Sequence, residues 1–236
     1  MYQKKYLVGS NDIDQFLELK LSSLFKMMQE ISTEHAEVLN IGKANTLDIG
    51  MFWVITRMEV EIIKAPKYLQ NVVLTTYPGD DLRFIFPRYF YLEDEEGNTL
   101  VKASSTWMVL NRNTHNVVLN PFNGYKAPPE HKEDELPLPK KVSPNEATLV
   151  ESRKVRYSDI DLNGHLNNTK YIDYIIDLHD SDFYKKNRIK HFLINYEKEL
   201  MDNDVLNLFS DFNNPEYIKG EVDKTSFEVS ITYEKR

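Results

Sequence analysis

Apolar residues recur at helical spacing twice along this chain, and each time runs of strand-like alternation follow. In the first stretch Leu17, Leu21, Leu24, Met28 and Ile31 form an apolar stripe, with Glu18, Lys20 and Glu30 outside it. The stripe predicts a core helix that starts after Asp14 and ends near Gly42. A short strand over 5–9 precedes it. Strand patterns follow at 53–64, where Val54, Met58, Val60 and Ile62 recur, and at 71–77, 83–93 and 100–111. Glu95-Glu96-Gly97-Asn98 reads as a turn between two of these. A helix followed by an antiparallel meander that can cover it is an α+β unit.

Composition then changes. Pro128, Pro129, Pro137, Pro139 and Pro144 are half of the 10 prolines and stand among charged residues, which reads as an extended surface linker. Beyond it the first pattern returns: a strand at 150–157, a polar turn running into a short amphipathic helix at 159–177, and strands at 191–199, 204–212 and 226–234. Domains are therefore expected at 1–127 and 149–236, joined by a linker at 128–148. Residues echo the repeat. Asn11-Asp12-Ile13-Asp14 resembles Ser158-Asp159-Ile160-Asp161, 147 positions on. At that offset Phe25 matches Ile172, Met28 matches Ile175 and Glu30 matches Asp177, whereas Phe16 stands for Asn163 and Glu18 for His165. The first copy keeps the apolar helix face and lacks the polar set of the second.

That polar set carries the candidate chemistry. In the helix Ile172, Ile175, Ile176 and His179 have i, i+3, i+4, i+7 spacing, and Asn163-Gly164 marks the break before them. Asn163 is the expected N-cap, which puts His165 in the first helical turn. A helix start offers unpaired N–H groups and a positive partial charge, so Gly164 and His165 are expected to hold a developing oxyanion. An imidazole, an amide and the Asp161 carboxylate beside it are parts of a hydrolytic site. A helix-capping turn is the plainer explanation of Asp161, Asn163 and His165, and their spacing alone favours it.

Other chemistries drop out. Asp159-x-Asp161-x-Asn163-Gly164 opens like a calcium-binding EF-hand loop, but the twelfth position is Lys170 where a bidentate Glu is needed. Asn167-Asn168-Thr169 is a formal glycosylation sequon on a helix in a chain whose first residues lack an apolar signal core. Serine elbow, HExxH, P-loop and Rossmann signatures are absent, and His115, His131, His179 and His191 lack ligand spacing. Neither metal nor nucleotide cofactor is expected. Cys is absent, which removes disulfides, thiolate sites and a thiol nucleophile and fits a reducing cytoplasm. With 236 residues, 41% of them hydrophobic, the chain can bury a sizeable core, and no apolar run reaches membrane-span length. A net charge of -8 argues against nucleic acid, and no membrane partner is expected.

Three blocks together resemble acyl-acyl carrier protein (ACP) thioesterases. Asp161-x-Asn163-x-His165, then Asn168 and Tyr171-Ile172, is similar to that family's catalytic-helix motif. Ile194-Asn195-Tyr196-Glu197-Lys198-Glu199 resembles the strand ending in a catalytic Glu, and Trp53-Val54-Ile55-x-Arg57 matches a third block. The resemblance covers most of the chain in the family's order. It implies a tandem (double) hotdog, two antiparallel sheets each wrapped around a long helix, with the acyl pocket from the first repeat and catalysis in the second. It implies hydrolysis of fatty acyl-ACP to free fatty acid and holo-ACP, ending chain elongation, without a cofactor. Glu199 is then the base that activates water, with Glu197 in reserve. Asn163 orients water or carbonyl, His165 polarises the thioester or protonates the thiolate, and Asp161 holds them or shares the base role. Where plant members carry a Cys after the Glu, this chain has Leu200. Acyl-CoA hydrolysis and non-catalytic acyl binding are the alternatives, and a homodimer is left open. An acidic carrier needs local positive charge, for which Lys185, Lys186, Arg188 and Lys190, or Lys140, Lys141, Arg153, Lys154 and Arg156, are the candidates.

Overall fold

The computed structural model describes residues 1–46, 49–122, 127–161 and 163–236. They divide into two compact units, Met1–Pro139 and Lys140–Arg236.

In the first unit the apolar stripe folds as α1 (Leu21–Val38), with Leu21, Leu24, Phe25, Met28 and Ile31 buried. The helix begins later than its stripe suggests. Leu17 lies before it, exposed, in a left-handed turn (φ 59). It also ends before Gly42, because Asn40 takes the left-handed conformation (φ 56) and Ile41 N–H donates to the Ala36 carbonyl. A single turn, α2 (Lys43–Thr46), follows. The strands are β1 (Tyr2–Leu7), β2 (Met51–Ile62), β3 (Asn71–Pro78), β4 (Phe86–Asp94) and β5 (Thr99–Asn111). They pair antiparallel throughout in the order β1-β3-β4-β5-β2, and α1 packs on β3 and β1.

The second unit holds β6 (Thr148–Lys154), a 3-10 turn (Tyr157–Asp159), α3 (Asn168–Ile176), α4 (Ser181–Tyr184), β7 (Asn187–Tyr196), β8 (Val205–Ser210), β9 (Glu216–Glu221) and β10 (Thr225–Lys235). Its antiparallel order, β6-β8-β9-β10-β7, is that of the first unit strand for strand. The sequence pattern omits β9, whose Glu-Tyr-Ile-Lys-Gly-Glu is too charged and short to alternate clearly. Gly220 within it is set by packing, since a Cβ there would overlap the Phe227 ring. On α3 the buried face is Tyr171, Ile172, Tyr174 and Ile175, and His179 lies past the helix end. Tyr171 packs edge-on against Tyr196 of β7 and Phe227 of β10, each 5.4 Å away.

Residues 127–147 form neither helix nor strand. Up to Pro139 they strap the first sheet. Tyr77 donates to Glu135 (3.0 Å), Lys132 pairs with Glu93 (3.2 Å) and Ser104 donates to the Pro137 carbonyl (2.7 Å). In the second unit Val142 N–H donates to Asn195 Oδ1 (2.6 Å).

Candidate active site

The stretch from Asp159 to Asn168 folds as a knot tied by two carboxylates. Asp161 Oδ1 accepts the backbone N–H groups of Asn163 (2.7 Å) and His165 (3.4 Å). Asp161 N–H donates to the His165 carbonyl (2.8 Å) and Gly164 N–H to the Asp161 carbonyl (3.1 Å). Such a turn needs positive φ at its tip, and Gly164 supplies it (φ 86). Asp159 is buried. It accepts Tyr174 OH (2.6 Å) and Arg156 N–H (3.1 Å), and Lys170 Nζ stands 3.7 Å away.

The helix does not start where the sequence pattern puts it. Asn167 is the N-cap of α3, accepting Thr169 N–H (2.9 Å), so Asn163 is a turn residue and His165 precedes the helix. The physical reason is that Asp161, a better acceptor than Asn163, claims the turn's N–H groups, while Leu166 N–H is drawn into a bridge with the Leu200 carbonyl (2.7 Å). The N–H of His165 already points to Asp161 and that of Gly164 to the Asp161 carbonyl, so the expected oxyanion donors at Gly164 and His165 are occupied.

The bridge delivers the second half of the site. His165 pairs with Met201 across it, and buried Leu166 and Leu200 pin it from beneath. β7 ends at Tyr196, not at Glu199, because Glu197 and Lys198 N–H both turn to the Ser226 carbonyl (2.9 and 3.0 Å). Glu199 therefore sits on the loop after the strand, with its Oε2 3.3 Å from His165 Nε2. Glu197 is exposed at the start of that loop. The turn and the bridge thus join His165 to Glu199 and tie Asp161 to the backbone of both Asn163 and His165. Asn163 is exposed.

One residue escaped the sequence reading, and another was legible only in part. Tyr174 clamps Asp159 from fifteen positions away, a contact with no local signal, while Arg153 lies over its ring (4.7 Å). Burial pushes the Tyr171 phenol up, and it hydrogen-bonds the backbone at Leu200, with Glu199 and Asp161 close enough to add to the shift. Tyr171 was legible only as part of the motif, not as a link between α3 and the Glu199 loop.

The same knot exists in the first unit. Asp14 Oδ1 accepts Phe16 N–H (2.8 Å) and Glu18 N–H (3.0 Å), Asp14 N–H donates to the Glu18 carbonyl (2.8 Å), and Glu18 bridges to Lys67. Ile13 pairs with Leu19 as Ile160 pairs with Leu166. The side chain of Glu18 is buried and ion-pairs with Lys67 (2.5 Å).

Of the two basic clusters, Lys185 pairs with Asp182 (2.6 Å), Arg188 with Glu234 (2.7 Å), and Arg153 with Glu151 (2.8 Å) and Asp177 (2.9 Å). Lys154 and Arg156 are exposed where β6 leads into the knot.

Solved structures of the same shape place this architecture in the hotdog class. An acyl-ACP thioesterase from Bacteroides thetaiotaomicron superposes with a TM-score of 0.84 at 22% identity over 98% of this chain and 97% of its own. The 12:0-ACP thioesterase from Umbellularia californica does so at 0.85 and 17% identity, over 100% and 97%. The family follows from sequence. The acyl-ACP thioesterase N-terminal domain matches residues 1–120 and the C-terminal domain residues 142–235, so the chain belongs to the acyl-ACP thioesterases, a family of thioester hydrolases. Among curated relatives, oleoyl-acyl carrier protein thioesterase 2 of Arabidopsis thaliana is 24% identical over 100% of the chain, and that plant's palmitoyl-acyl carrier protein thioesterase 26% over 87%. The chain spans 69% and 54% of their lengths. Among the described residues no helix is long and apolar enough to cross a membrane.

Proposed function

We propose that this chain hydrolyses the thioester of fatty acyl-ACP, releasing free fatty acid and holo-ACP and so ending chain elongation, with Glu199 as the base. The observation that carries the reading is the 3.3 Å approach of His165 Nε2 to Glu199 Oε2 on a loop that a backbone bridge holds in place. The Glu199 side chain is 38% exposed, which leaves room for water beside the imidazole. Glu199 takes a proton from that water, and the oxygen attacks the thioester carbon. The carbonyl electrons move to oxygen, which accepts a hydrogen bond from the Asn163 amide. On collapse the C–S bond breaks, and the departing thiolate takes the proton back through His165. General base catalysis of this kind is worth about 10²–10⁴-fold. The Asp161 carboxylate is committed to backbone N–H groups and keeps the turn in shape.

The N-terminal unit supplies the acyl pocket, and the cysteine-free composition suits a reducing cytoplasm. The acidic carrier meets one of the two basic clusters. Exposed Lys154 and Arg156 lead directly into the knot, whereas Lys185 and Arg188 already have carboxylate partners. Mass spectrometry of products from a panel of acyl-ACPs and acyl-CoAs tests the reading. Free fatty acid from acyl-ACP is expected. A preference for acyl-CoA moves the chain to the other thioester, and bound but uncleaved acyl chains would make it a binding protein. Reversing charge at Lys154 and Arg156, against Lys185 and Lys186, should raise KM for acyl-ACP severalfold in one pair only and leave a carrier-free thioester unaffected.

A further inference from the structure

The N-terminal unit exposes four large apolar side chains around its own copy of the knot. Leu7 is 54% exposed, Leu17 53%, Tyr68 40% and Leu69 60%. They are neighbours, since Tyr68 N–H donates to the Leu17 carbonyl (2.9 Å) and Leu69 N–H to the carbonyl of Val8, next to Leu7 (2.9 Å). Two of them sit in backbone conformations that leucine disfavours: Leu17 at φ 59 and Leu69 at φ 61. The C-terminal unit has other residues at the two matching turns. The positions that play the same parts there are Gly164 (φ 86) and Asn203 (φ 70), with Asn203 N–H donating to the Val155 carbonyl as Leu69 N–H does to Val8. Lys154 and Asp202 stand in the places of Leu7 and Tyr68. At these two matched turns, then, one unit has glycine and asparagine, and the other has leucines that it leaves in solvent. Neither backbone preference nor burial explains that choice.

Lysines outnumber acids at the patch, and only the lysines face solvent freely. Lys5, Lys20, Lys64 and Lys67 are exposed around it. The nearby acids turn inward: Asp12 Oδ2 accepts Gly9 N–H, Asp14 Oδ1 accepts two backbone N–H groups of its turn, and buried Glu18 lies under Lys67. Four lysines against three carboxylates, one of them paired with Lys67, leave the patch slightly positive on a chain whose net charge is -8.

We propose that this face docks on an anionic lipid surface, with Leu17, Tyr68 and Leu69 entering the headgroup region and the lysines meeting lipid phosphates. Leucine and tyrosine at turn tips, with lysines behind them, suit an interface that needs no complementary shape. A second copy fits worse, because a two-fold contact would bring two lysine rims together. The proposal goes beyond the sequence expectation of no membrane partner, since the absence of a spanning helix among the described residues says nothing about a peripheral face. The proposal stands independently of the catalytic assignment.

The experiment is flotation of the full chain with vesicles of phosphatidylcholine containing about 30 mol% phosphatidylglycerol, against phosphatidylcholine alone. The parent should float with the anionic vesicles and bind neutral ones about tenfold less. The double variant Leu17→Asn/Leu69→Asn keeps residues that tolerate both turns, so it should melt no lower than the parent. It should lose about tenfold in partitioning. Lys64→Ser should weaken binding and flatten its salt dependence. A parent that stays with the soluble fraction overturns the proposal, as does a double variant that floats like the parent. A dimer, or a stable complex with ACP, that the double variant loses would also overturn it by assigning the face to protein. Thioester hydrolysis in vesicle-free buffer should be equal in parent and double variant, so failure of either reading is visible without the other.

Discussion

The two units share a backbone and differ in what hangs from it. Each has the same strand order, the same Asp-anchored turn before its helix and the same bridge from that turn to the loop after its second strand. On that frame the C-terminal unit carries Asn163, His165 and Glu199. The N-terminal unit carries Phe16, Glu18 and, two residues before the bridge partner Lys67, Ala65. A buried carboxylate salt-bridged to lysine replaces an imidazole facing a carboxylate. The difference teaches that the turn is a mount that either chemistry can use, so the presence of the turn is no sign of activity. The side chains decide.

The sharpest break in the comparison is catalytic. Glu199→Gln should lower turnover of acyl-ACP by about 10²–10⁴-fold, and His165→Ala and Asn163→Ala by at least about tenfold each. Glu18→Gln, on the same mount, should leave turnover nearly unchanged. Steady-state kinetics on folded variants checks all four, and near-normal turnover in Glu199→Gln would move the base to Glu197 or Asp161.

The histidines of the two cores give the next contrast. His35 on α1 contacts the Arg88 guanidinium (3.1 Å), whereas His179 contacts the Glu216 carboxylate (2.7 Å). Burial, then Arg88, pushes His35 from 6.5 down to about 4. Between those values the unfolded chain binds a proton that the native residue refuses, so the contribution is complete above pH 6.5 and is lost as pH falls toward 4. The loss should be ~3 kcal/mol. Denaturant titrations across that range should show the slope, and His35→Gln should flatten it. An unchanged slope in the variant would refute the assignment.

A smaller effect separates the two mounts themselves. Tyr174 clamps Asp159, and at the matching place in α1 stands Met27, with no hydroxyl. Tyr174→Phe leaves a buried carboxylate short of a donor and should cost about 1–2 kcal/mol of stability. It should lower kcat more than it raises KM, because the turn that holds His165 loosens. A proportional change in both would make Tyr174 purely structural.

Much of this was legible before any coordinates. The offset of Asn11–Asp14 to Ser158–Asp161 located both turns, and the periodicity found the two longer helices, α1 and α3, and nine of the ten strands among the described residues. The start of the second helix falls later than Asn163-Gly164 suggests because two acceptors serve two sets of N–H groups: Asp161 takes those of the turn at Asn163 and His165, and Asn167 takes that of Thr169 in the helix. β9 was invisible because its role is set by Phe227 and the strands beside it. Leu17 departs from its expected place for a different reason. Leu17 falls on the helical stripe by spacing, and only the backbone angle shows that it belongs to a turn.

The retained Asp14 turn makes the two halves unequal in a way that can be engineered. A catalytic constellation is hard to install because its backbone must hold side chains within a fraction of an ångström. Here one hydrogen-bond pattern holds both turns, and the N-terminal one lacks the imidazole, the amide and the acid of the loop after its second strand. Phe16→Asn, Glu18→His and Ala65→Glu would set the sibling's amide, imidazole and carboxylate on the N-terminal turn, with Leu17 and Met27 still standing where Gly164 and Tyr174 do, so the chain carries within itself a starting scaffold for a second such site.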